Sequence, residues 1–328
     1  MTEFQNNRIA FIDIAKGITI LCVALYHLDA PGNLGRIFNL FFMPLFFLIS
    51  GIFVNTKKPF KEFFRSKARR LLGPLLVGLV IGFIIECFFK NFATAKLVIE
   101  SGFYNFWLVS NVPLWFLLTL FYLMMIVYAV ENLLKSDLIK IAVYVILALA
   151  GFSLSLMHIK NTLFIGHSLL VIPFFVTGYK FKEYWLSCAW LNWKIVLISA
   201  IAALYLYKIE TFTNIHQFAF SHFYFPSLIA AFALIILVFT ASHFIARYCH
   251  SLSNILSWFG VNTIFILILH DLFVPGIKQL GEFIIQWSTL PWSEKLTTDI
   301  YNCIVTIPLC VLCIFLGRIL KRLLPSLF

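Results

Sequence analysis

The sequence predicts an all-α polytopic membrane protein with about ten transmembrane helices and both termini in the cytoplasm. Three observations carry that expectation. The 328 residues are 62% hydrophobic and 12% charged, with a mean hydropathy of +0.95; soluble domains lie near 45–50% apolar and about 25% charged. The apolar residues gather into runs of the length a bilayer core requires, about 20 residues each. The basic residues gather at the ends of those runs and divide unequally between alternate connections.

Taken in order, the expected spans are 9–28, 34–54, 71–90, 114–131, 138–157, 163–180, 193–209, 223–244, 255–272 and 299–317. The first two are joined by a short polar turn. A basic loop, residues 57–74, leads into the third. After the ninth, apolar character continues from Leu272 past Pro275 to Trp287, which reads as a partial or re-entrant piece; such backbone must line a cavity, because it cannot face lipid. No soluble domain remains once the spans are assigned, so the chain is expected to be one domain over 1–328. Of the 25 Lys and Arg residues, 17 fall on the side of the N-terminus and 7 on the other, with Lys16 inside a span. That asymmetry places both termini in the cytoplasm.

Composition also excludes. The net charge of +11 is not a nucleic-acid footprint, because the basic residues sit at span ends rather than on a folded surface. The run after Arg8 is interrupted by Asp13 and Lys16 and has no small-residue cleavage site, so the first helix reads as retained. The seven cysteines lie mostly in apolar runs, and Cys310 and Cys313 read as small packing residues. There is no Gly-rich phosphate loop, no H-E-x-x-H and no G-x-S-x-G, and no metal is expected. The absence of an internal repeat weighs against a secondary transporter.

Chemistry is expected at three places. Asp13, Lys16 and His27 stand in the first span. Lys16 and His27 differ by roughly 1100°, about 20° from three whole turns, and by about 16 Å in height, so they share one helix face. Asp13 is three residues before Lys16 and close enough to pair with it. Ionisable groups in a membrane helix mark functional sites. A His near neutral pKa suits removal of a hydroxyl proton, and Lys16 suits an anionic group or a developing oxyanion. The second place is the loop KKPFKEFFRSKARRLLGP, where Arg65, Lys67, Arg69 and Arg70 approach the third helix; its readings are a topology signal, a lipid-headgroup site, or a grip on phosphates. The third is GVNTIFILILHD, in which Thr263 and His270 share a face and His270 ends a span at the depth of His27. Six of the eight histidines (His27, His158, His167, His216, His222 and His270) fall at outer ends or outer loops. Those loops also carry the aromatics Phe103, Tyr104, Phe106, Trp107, Phe218, Phe220, Phe223, Tyr224, Trp287 and Trp292, which read as an interfacial belt or, for some, as platforms stacking on sugar rings.

The segments FIDIAKGITILCVALYH, FFMPLFFLISGIF, KARRLLGP, PLWFLLTLF, VIPFFVTGY and GVNTIFILILH, in that order, resemble the acyltransferase-3 family of integral membrane acyltransferases, and most nearly its fucose 4-O-acetylase-like bacterial members. The resemblance implies a multi-pass protein of the bacterial inner membrane that moves an acetyl group from cytosolic acetyl-CoA to a sugar hydroxyl of a cell-surface or lipid-linked polysaccharide. It implies Lys16 and His27 as the helix-one pair and Lys67, Arg69 and Arg70, with Arg65 nearby, as the donor-binding loop. It also implies His270 as the late histidine and Ser50-Gly51 as the small pair. Many relatives carry Arg where this chain has Lys16, and the R-x-x-R loop pattern stands here as Lys67-x-x-Arg70. The expected partners are the bilayer, acyl-CoA and a glycan acceptor, with no nucleic acid. The competing functions are a polysaccharide or lipid transporter and a non-catalytic partner of a glycan export system.

Overall fold

A computed structural model describes residues 2–90, 112–157, 163–208, 213–215, 218–220, 224–287 and 294–328. His158, His216, His222 and the aromatics Phe103, Tyr104, Phe106, Trp107, Phe223 and Trp292 lie outside the described residues. The helices are α1 Thr2–His27, α2 Leu34–Ile52, α3 Phe60–Lys67, α4 Gly73–Lys90, α5 Trp115–Leu133, α6 Asp137–Leu156, α7 Ile165–Leu170, α8 Ile172–Lys180, α9 Lys182–Leu186, α10 Trp193–Lys208, α11 Tyr224–Tyr248, α12 His250–Val261, α13 Thr263–Trp287 and α14 Glu294–Leu323. A π-helical turn, Ala68–Leu72, joins α3 to α4, and a 3-10 turn, Val112–Leu114, opens α5. Two short strands, β1 Thr213–Asn214 and β2 Ala219–Phe220, pair antiparallel.

Among the described residues, eight helices are long and apolar enough to cross a membrane, so the all-α polytopic class holds. The elements differ from the expected spans in three places. The run 163–180 is two helices, α7 and α8, because Pro173 has no N–H for the carbonyl of Leu169 and its ring crowds that carbonyl. The helix α10 has only 16 residues. The expected span 255–272 is corrected: the helix breaks at Asn262, and α13 then runs without interruption through Pro275 to Trp287. The piece expected as partial or re-entrant is the continuation of α13.

The chain forms two compact units. The first contains the described residues up to Thr19, then Arg36–Lys67 and Thr119–Val261. Its centre is aromatic. Phe11, Trp190 and Phe239 are all fully buried, with Phe11 5.8 Å from Trp190 and 5.6 Å from Phe239, centroid to centroid. Trp190 Nε1 donates to the carbonyl of Trp185 at 3.1 Å, so the indole is buried without an orphaned donor. The helices α2 and α8 cross at glycines. A Cβ on Gly51 would stand 2.0 Å from the carbonyl oxygen of Phe175, and one on Gly178 would stand 2.1 Å from that of Leu48. This is the close approach that small residues permit in membrane bundles, and it gives Gly51 of the Ser50-Gly51 pair a packing role.

One polar knot closes this unit. Glu131 on α5, with a side chain 8% exposed, receives Lys180 Nζ at 2.8 Å, Lys140 Nζ at 3.1 Å and the Tyr144 hydroxyl at 2.9 Å. The carboxylate thereby binds α5, α6 and α8 with its oxygens satisfied, the condition under which a buried charge is tolerated.

The second unit contains Ile20–Gly35, Ala68–Leu118 and Asn262–Phe328. Its axis is α13, whose Ile266, Ile268 and Leu269 are buried, as are Leu114, Leu309 and Ile314. Cys310 and Cys313 are free, buried thiols on α14, in the packing role expected of them. The turn after α1 is held from two sides. Asp29, at φ 62°, pairs through its carboxylate with Lys278 Nζ at 2.5 Å and through its carbonyl with Asn302 Nδ2 at 3.4 Å; α13 and α14 are themselves joined where the hydroxyl of Tyr301 donates to the carbonyl of Ile277 at 2.9 Å. The end of α1 is therefore anchored to α13 and α14.

Candidate functional site

The helix α1 contributes to both units, with Asp13 and Lys16 in the first and His27 in the second; each set is described within its own unit. In the second unit, His27 ends α1 and His270 and Asp271 lie on α13. His27 Nδ1 is 3.1 Å from Asp271 Oδ1, each side chain about one-fifth exposed, at 22% and 21%. The other oxygen, Oδ2, accepts the backbone N–H of Val112 at 3.3 Å. A carboxylate so placed accepts from Nδ1–H and leaves the lone pair of His27 on Nε2. This is the arrangement in which a third group orients a base.

His270 is fully buried, and its ring centroid lies 4.9 Å from that of His27, the planes at 81°. Its Nδ1 donates to the carbonyl of Ile266 at 2.7 Å, one turn back. That bond occupies Nδ1 and leaves Nε2, which has no hydrogen-bond partner among the described residues. Such orphaned acceptors are rare in folded interiors. Pro275 adds a further feature: it sits four residues after Asp271, so it denies the Asp271 carbonyl its helical partner. The site therefore combines an oriented imidazole, a second imidazole with an open acceptor, and a carbonyl released from its ladder.

Sequence reasoning expected His27 and His270 to stand together, and they do. It left out Asp271. A signal was present, because Asp271 is an ionisable residue in an apolar helix. The stripe from Thr263 to His270 drew the face, and adjacent helical residues diverge by about 100°, so Asp271 fell off it. The bond to His27 arises from the packing of two helices far apart in sequence.

In the first unit, Lys16 Nζ pairs with Asp13 Oδ1 at 2.6 Å, the side chains 24% and 21% exposed. This is the i,i+3 contact expected. The pair stands at a tight crossing of α1 and α12. A Cβ on Gly17 would lie 2.0 Å from the carbonyl oxygen of Leu256, and one on Gly260 would lie 1.8 Å from that of Asp13. The four basic residues of the loop fall on different elements. Arg65 and Lys67 end α3 in the first unit, where Lys67 Nζ lies 5.5 Å from the Phe63 ring centroid. Arg69 and Arg70 stand exposed on the π-turn of the second unit, where their guanidinium groups are open to an anion. A π-turn is a strained, sparsely used geometry that recurs at functional positions. Among the described residues, no group of three or more His, Cys, Asp or Glu is placed to hold a metal.

A family model described as an acyltransferase domain matches residues 9–318. The chain belongs to the acyltransferase-3 family. The match covers nearly the whole chain, from α1 into the last turns of α14, so both units fall within this membrane acyltransferase domain. No curated protein and no solved structure matches the chain.

Proposed function

We propose that this acyltransferase-3 member is an O-acetyltransferase of the bacterial inner membrane, carrying acetyl from cytosolic acetyl-CoA to a sugar hydroxyl of a surface or lipid-linked polysaccharide. The observation that carries the chemistry is the His27–Asp271 pair. In this reading His27 Nε2 takes the proton of the acceptor hydroxyl as its oxygen attacks the thioester carbonyl. Asp271 holds the ring and stabilises the imidazolium that forms. The tetrahedral intermediate collapses with cleavage of the C–S bond, and His27 returns the proton to the departing sulfur, giving the ester and the free thiol. His270 Nε2 accepts a hydrogen bond from a neighbouring hydroxyl of the acceptor sugar and sets the approach of the reacting one.

The donor's phosphates are assigned to Arg69 and Arg70. Exposed guanidinium groups on a short turn suit bidentate phosphate contacts. Lys16 is assigned to an anionic group of the donor. Ten residues of helix separate it from His27, a rise of about 16 Å, which removes it from the carbon at which His27 acts. The cytoplasmic placement of the basic loop follows from the charge asymmetry of the connections.

The test is transfer of labelled acetyl from acetyl-CoA by the purified full-length protein, together with mass spectrometry of the host's surface glycan with and without it. Transfer by the wild type and its loss in His27→Ala are expected. A folded His27→Ala variant that acetylates normally would overturn the assignment. Glycan export that depends on the protein without any acyl donor would replace it with transport.

A further inference from the structure

We infer that the C-terminal tail, Pro325–Phe328, is a positioning element for the donor-binding turn and acts through Arg69. The inference rests on the donor-binding reading of Arg69 given above. Three contacts inside the second unit carry it. An Nη2 hydrogen of Arg69 is donated to the carbonyl of Pro325 at 2.8 Å. The carbonyl of Leu327 lies against Gly73, where a Cβ would stand 2.1 Å from that oxygen, so the tail reaches the start of α4 only because residue 73 has no side chain. The ring of Phe328 packs on that of Phe265, centroids 5.8 Å apart, in the first turn of α13. A turn from Leu327 N–H to the carbonyl of Leu324, at 3.1 Å, brings the tail back toward the helices.

The chemistry of the contact decides what it does. A carbonyl takes one of the five N–H donors of a guanidinium and cancels none of its charge. The remaining donors stay available to a phosphate. What the contact removes is rotamer freedom, which a long exposed side chain otherwise loses on binding its ligand. A neutral carbonyl bonded to one edge of Arg69 therefore preorganises the group and does not compete with an anion for it. The two other contacts give the tail its own footing, on α4 through Leu327 and on α13 through Phe328.

The experiment is steady-state kinetics against acetyl-CoA for the purified protein in four forms: wild type, deletion of residues 325–328, Arg69→Ala, and the two combined. Deletion is expected to raise the donor KM about three- to tenfold, the scale of one hydrogen bond to a charged group at an exposed site. It should leave kcat within about twofold, because the tail touches no reacting group. Arg69→Ala should raise KM at least as much, and deletion on that background should add nothing. Gly73→Ala, which pushes the Leu327 carbonyl away while keeping every tail residue, should reproduce the KM effect and guards against a deletion that fails to fold. Deletion that lowers KM, leaves it unchanged, or multiplies the Arg69→Ala effect overturns the inference and leaves the donor-site reading intact. An Arg69→Ala variant with an unchanged donor KM overturns both.

Discussion

Replacing Asp271 by Asn tests the His27–Asp271 pair most sharply, because it keeps the size of the side chain and removes only its charge and one acceptor. The contact is 3.1 Å long and about one-fifth exposed on both sides, so it is partly screened. A hydrogen bond to a charged group contributes about 1.5–3 kcal/mol. At about 1.36 kcal/mol per factor of ten, its loss from the transition state lowers kcat by about 10- to 150-fold. The donor KM should hold, since Asp271 touches the base and not the donor. The assay is acetyl transfer by purified wild type, Asp271→Asn, His27→Ala and the double variant, each checked for thermal unfolding in detergent. If Asp271 acts by orienting His27, the double variant is no slower than His27→Ala alone. An Asp271→Asn variant that is folded and as fast as wild type would refute the reasoning, as would losses that multiply in the double variant.

Three further outcomes are expected. Gly260→Ala forces a methyl to within 1.8 Å of the Asp13 carbonyl oxygen, and should destabilise the protein by about 1–3 kcal/mol, as overpacking does; a thermal scan of the purified protein reads it. Glu131→Ala leaves Lys140 and Lys180 with Asp137 alone, at 3.5 and 3.8 Å, and leaves the buried Tyr144 hydroxyl without its acceptor, which should cost about 1–3 kcal/mol; it should leave the donor KM of the surviving folded fraction unchanged. Arg70→Ala removes one exposed guanidinium from the π-turn, and should raise the donor KM about threefold or more through loss of a charge-assisted contact, with a weaker effect at high salt, where such contacts are screened.

Much of the molecule is legible in the sequence because a bilayer imposes one-dimensional rules. Runs of apolar residues report spans, and Lys16 and Asp13, three apart on one helix, report their own pairing without any partner element. His27 and His270 are legible as a pair because each is an ionisable residue expected near the outer end of an apolar span, although α13 in fact continues past His270 to Trp287. Where the reading failed, a local backbone effect had overridden hydropathy. Pro173 divides an apolar run that counts as one span. Asn262 ends α12 inside a stretch whose apolar character never falters. Pro275, by contrast, does not stop α13, because a membrane helix tolerates proline where other groups can donate to the freed carbonyl.

The sequence by itself determined that this is a helical membrane protein, which helices carry ionisable groups, and, through its ordered motifs, the family. Those properties depend on composition and on neighbours within one helix, and a chain declares them locally. Only the tertiary structure decided that Asp271 is the group bonded to His27, that His270 keeps an open acceptor beside it, and that Arg69 is held by a tail 256 residues away in sequence. Each of these is a contact between segments distant along the chain. Its geometry is set by how helices pack, and no period or spacing encodes that.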